Sequence, residues 1–204
     1  MPVGHDADAQ SAFPFRAAAL DHRAMPTLVQ READLSLRAA HDFVRPRVIW
    51  PPDPQDGSPV AVFVWERECV FEAAQSLSVE GGVVVLALQT AALDVATIAV
   101  EWVGDHAVLL GADPERLIVA GGGLAAAAAL HARDEGWPPL ARQLLFGPER
   151  SGWPAADASL ADVAPATVVD APQYASRLRS AGVEVEELAL AEPLRFDWLA
   201  VPQR

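Results

Sequence analysis

Short apolar runs recur along most of this chain at spacings that leave room for a helix between them. They fall at Pro59–Trp65, Gly82–Leu88, Arg116–Ala120, Arg142–Phe146, Ala166–Val169 and Val183–Leu190. Most are brief and β-branched, the pattern of strands buried on both faces rather than on one. The intervening segments, roughly Glu68–Val79, Ala91–Leu110, Leu124–Glu135 and Pro172–Ala181, read as helices. Gly182 stands where a helix stop is needed before the last run. Strand and helix therefore alternate, which predicts an α/β sandwich with a mostly parallel sheet covered on both faces. Before Pro51 the pattern is weaker. One helix is expected around Leu28–Phe43, and the stretch from Pro51 to Ser58 is a loop by composition. The expected organisation is a single domain, 1–204, with 1–44 as an extension or cap remnant and 45–204 as the core.

Length and composition sharpen this picture. With 204 residues, 51% of them hydrophobic, the chain is long enough for one well-filled core but not for two, and too apolar to be a disordered chain. No apolar run free of charge or proline reaches the length of a membrane span, and the first fifteen residues lack the basic start of a secretory signal. A cytoplasmic protein is expected. Fifteen arginines, no lysine and 28 acidic residues give a net charge of -13. Such a surface repels phosphate backbones, so neither nucleic acid nor a membrane is the expected partner. Cys69 stands alone and reads as a small buried apolar residue. The five histidines, His5, His22, His41, His106 and His131, show no metal-ligand spacing, so no metal or cofactor is expected. The six tryptophans read as packing, with Trp65 set apart because it ends a strand at the mouth of the expected cleft.

The segment richest in chemistry runs from Gly111 to Ala125. Asp113-Pro114 reads as a turn, Arg116–Ala120 as a strand, and Gly121-Gly122-Gly123 as a tight turn into an Ala-rich helix. Glycines there permit positive φ and close backbone approach, and free N–H groups at the helix start suit a small anion. Gly121-x-Gly123-x-x-Ala126 also matches the dinucleotide fingerprint, although Glu149, the nearest acidic partner, is badly spaced.

The same segment resembles the hormone-sensitive-lipase-like esterases of the α/β-hydrolase fold. The match rests on Gly111-Ala112-Asp113-Pro114-Glu115-Arg116, then Ala120-Gly121, then the Ala-rich run from Leu124. It continues through Ala132-Arg133-Asp134-Glu135-Gly136, Gln143-Leu144-Leu145 and Tyr174–Val183. In that family the turn carries a Gly-x-Ser-x-Gly nucleophile elbow. The resemblance places Gly123 where the nucleophile belongs and Trp65-Glu66-Arg67-Glu68 in place of the oxyanion loop. It leaves only Asp170 near the missing acid loop, and puts Arg195 where the histidine base would fall.

Glycine offers no attacking atom and an arginine cannot serve as a general base. The resemblance thus implies an α/β-hydrolase-like scaffold with reduced or absent cap, a vestigial pocket bordered by Trp65, Glu66, Gly122, Gly123 and Arg195, and a non-catalytic role binding a small molecule or a protein. Two other readings stay open: an active esterase with a relocated nucleophile, and nucleotide or anion binding at Gly121–Gly123. Relatives of this fold also imply a homodimer through Val183–Leu190, which would cover an exposed strand edge.

Overall fold

The computed structural model describes residues 31–38, 43–66, 70–148, 154 and 158–189. Among these residues ten strands occur in chain order: β1 (Glu32–Asp34), β2 (Leu37–Arg38), β3 (Phe43–Val44), β4 (Arg47–Ile49), β5 (Ser58–Trp65), β6 (Val84–Gln89), β7 (Ala112–Gly121), β8 (Arg142–Phe146), β9 (Ala166–Val169) and β10 (Val185–Leu188). Four helices join them among the described residues: α1 (Val70–Gly81), α2 (Leu93–His106), α3 (Gly123–Glu135) and α4 (Pro172–Ser180), with a 3₁₀ turn at Ala107–Leu110. Eight strands form one sheet in the order β1-β4-β6-β5-β7-β8-β9-β10, while β2 and β3 make a separate small hairpin.

From β6 to β10 all neighbours run parallel, and β4 and β1 add an antiparallel margin. The chain moves from β5 outward to β6, then crosses back over β5 to β7 and proceeds through β8 to β10 in the opposite direction. Because crossovers are right-handed, this reversal sends the helices to different faces. Helix α1 accordingly packs with Ala61, Phe63, Val85 and Ala120 on one face. Helices α2, α3 and α4 pack with Val60, Val62, Val64 and Val119 on the other.

Two strands and one helix start fall at the bounds the pattern predicts: β8, β9, and the first residue of α4, where Pro172 opens the helix. The predicted 91–110 helix ends early as α2 and tightens into the 3₁₀ turn, which Gly111 closes at φ +77°. The expected turn at Asp113-Pro114 is instead absorbed into β7. It shows up as an irregularity: Ser58 pairs Ala112 and Val60 pairs Leu117, so the four residues from Asp113 to Arg116 stand against Pro59 alone. Asp113 accepts the Glu115 N–H there at 2.9 Å, the local turn chemistry the residue type favours.

The expected helix at Leu28–Phe43 is wrong over its described residues. Glu32–Asp34 pairs Arg47–Ile49, and Leu37–Arg38 pairs Phe43–Val44. Pairing partners decide such short strands, and tertiary contacts override weak helical propensity. It follows that β1 belongs to the main sheet although it lies inside the stretch expected as an extension.

The Ala-rich run explains the position of α3. From Gly123 to Leu130 every residue is buried, so the helix is apolar all round and sits between α2 and the sheet. Its far end is pinned by Arg133. That guanidinium donates to Ser159 O and Ala161 O, each at 2.8 Å, and to Asp134 Oδ1. On α1, by contrast, fully buried Ser78 keeps a hydroxyl without a hydrogen-bond partner among the described residues. Such a group carries an uncompensated desolvation penalty. Ser78→Ala is expected to raise Tm by roughly 2–4 °C, corresponding to about 1 kcal/mol. A fall in Tm would mean that the hydroxyl is satisfied.

Candidate functional site

Open α/β sheets bind ligands beyond the carboxyl ends of their strands, where the strand order reverses. Here that point lies between β5 and β7. It brings together Trp65 and Glu66 from the end of β5 with Gly121, Gly122 and Gly123 at the β7–α3 turn. The next ends along the same margin are Gly147 after β8 and Asp170 after β9.

The turn is shaped by Gly121. Its φ is +136°, and a Cβ built on it would lie 2.0 Å from the Val64 carbonyl oxygen and 3.3 Å from Ala125 Cβ. No side chain fits there, so the turn from β7 into α3 beside β5 requires glycine on two separate counts. Gly122 differs. Its φ is -88°, it is partly open, and a Cβ on it would meet only Phe146 O at 4.0 Å. Its carbonyl accepts the first helical hydrogen bond, from Ala126 N–H. Gly123 is the first residue of α3 and is buried. The strained residue is therefore Gly121 and the residue facing open space is Gly122; Gly123, where the family pattern places the nucleophile, lies just inside the helix.

Trp65 does not occupy that space. Alternation along β5 puts it on the α1 face, where it stacks on Phe63 at 6.0 Å and meets Phe146 at 5.8 Å, tilted by 58°. Phe146 belongs to β8, two strands away, and strand spacing alone would separate the two backbones by about 9.6 Å. The rings meet because only the small Ala120 of β7, with Gly122 just beyond the strand, lies on that face between them. Phe63, Trp65 and Phe146 thus form an aromatic floor beside the turn. The sequence reading missed Phe146; its only signal was an aromatic residue ending a strand.

Glu66 is exposed. Asp170 is exposed as well and holds φ +53°, a left-handed conformation that Asp tolerates better than most residues. Its N–H donates to Leu188 O at 3.1 Å, so β10 fixes its place. Arg195, Arg67 and Glu68 lie outside the described residues, as do Cys69, Glu149 and the first three histidines. Of the residues expected to border a pocket, Trp65, Glu66, Gly122 and Gly123 are described and stand at the carboxyl ends of β5 and β7.

The two described histidines are elsewhere. His106 stacks on Trp102 at 4.5 Å, its Nδ1 2.8 Å from the Trp102 carbonyl oxygen. His131 lies 3.6 Å from Glu101, linking α3 to α2. Ser58, which starts β5, spends its hydroxyl on Gln55 O at 2.8 Å. Among the described residues no group of three or more His, Cys, Asp or Glu side chains is placed to hold a metal ion. Nor is any helix among them long and apolar enough to cross a membrane.

This sheet order, with its reversal at β5 and β7 and a glycine turn opening the central helix, is the α/β-hydrolase fold. Residues 89–172 match the family model described by that name. Carboxylesterase NlhH of Mycobacterium tuberculosis is 34% identical over 122 residues, covering 50% of this chain and 38% of the relative. Esterase LipI of the same organism is 38% identical over 100 residues, covering 47% and 31%. The chain thus spans about a third to two fifths of the length of the curated relatives it matches. A bacterial heroin esterase superposes with TM-score 0.71 over 81% of this chain and 77% of its own, at 21% identity. An esterase from Pyrobaculum calidifontis gives 0.69 over 78% and 75%, also at 21%. The chain has the α/β-hydrolase fold, and its sequence is similar to esterases of the hormone-sensitive-lipase-like branch.

Proposed function

We propose that this protein does not cleave esters by the serine mechanism and acts instead as a binding or interaction protein on the hydrolase scaffold. One observation carries the reading: the strand-to-helix turn is Gly121-Gly122-Gly123. Whichever of the three takes the nucleophile's place, no side-chain atom is there to attack, and no acyl-enzyme forms. The surroundings agree in sign. Glu66 stands after β5, where a developing oxyanion needs donors rather than negative charge, and Arg195 replaces the base in the family pattern. Loss of a triad removes on the order of 10⁶ in turnover. The space in front of Gly122, floored by Trp65 and Phe146, is the place for a small ligand.

The names of the relatives favour a second reading, an esterase whose nucleophile sits elsewhere. One experiment separates the two. The purified protein is incubated with short-chain nitrophenyl esters and with a serine-reactive phosphonate. The expected result is hydrolysis at the buffer rate and no stoichiometric labelling. Turnover abolished by replacing one serine, or a single labelled serine, would establish the esterase and sink the binding role.

The dinucleotide fingerprint is tested alongside. Millimolar NAD is expected to leave Tm unchanged, whereas a ligand at 100 times its Kd adds about 2.7 kcal/mol.

A further inference from the structure

We draw no further inference here: the strongest candidate, the exposed apolar patch of Val108 and Leu109 on the 3₁₀ turn with nearby Trp137 at the end of the sheet away from the glycine turn, carries nothing because nothing in the structure shows what covers it.

Discussion

Gly121→Ala is expected to destabilise the protein by about 3 kcal/mol or more and to lower Tm by at least roughly 6 °C. Two penalties combine. Alanine at φ +136° is strained whatever its surroundings. Its methyl group would also lie 2.0 Å from the Val64 carbonyl oxygen, a contact with backbone that no rotamer change relieves. Relief requires β5 and β7 to part at the place where they pair Val64 with Gly121. Gly122→Ala is the control. Its Cβ meets only Phe146 O at 4.0 Å, so its Tm should stay within a few degrees of the parent. Equal melting of the two variants would show that the close approach of Val64 to Gly121 does not exist in solution.

The second large effect is expected at Phe63. The side chain is fully buried, contacts α1 through the core of that face, and supports both Trp65 and Phe146. Phe63→Ala should cost about 3–5 kcal/mol, the sum of lost transfer energy and the cavity left behind, or roughly 6–20 °C in Tm. The loss should also reach the site. With its stacking partner gone, Trp65 becomes more mobile, and the acrylamide quenching assigned to it by difference from Trp65→Phe should rise. A large drop in Tm with unchanged quenching of Trp65 would mean that Phe146 alone holds the indole, and the three-ring floor would be reduced to a pair.

These two positions also show how far the amino-acid pattern reaches. Arg142–Phe146 and Ala166–Val169 were legible to the residue because each is a compact apolar run with few ways to be buried other than as a central strand. The strands at Glu32–Asp34 and Arg47–Ile49 were not. Three residues carry too little periodicity, and what holds them is a partner far along the chain.

The glycine turn was visible as a turn, but its internal division of labour was not. Only coordinates separate Gly121, hemmed in by Val64, from Gly122, which faces open space. The contact between Trp65 and Phe146 was hidden for a related reason. It depends on β7 lying between β5 and β8, and strand order is a property of the assembled sheet.

The two outer strands of the sheet have unequal prospects for assembly. β1 is three residues long, and its Glu32 and Asp34 are both engaged by Arg47, at 3.3 and 3.0 Å. A margin so brief and so charged makes a poor template for a further strand. β10 offers four residues, Val185 to Leu188, paired on one side only among the described residues. A body with a single adhesive flank can join one copy of itself about a two-fold axis and then has nothing left to extend. Were two copies to meet along β10, their pairing about a two-fold axis would use up that edge and leave only the short, charged β1 margins exposed.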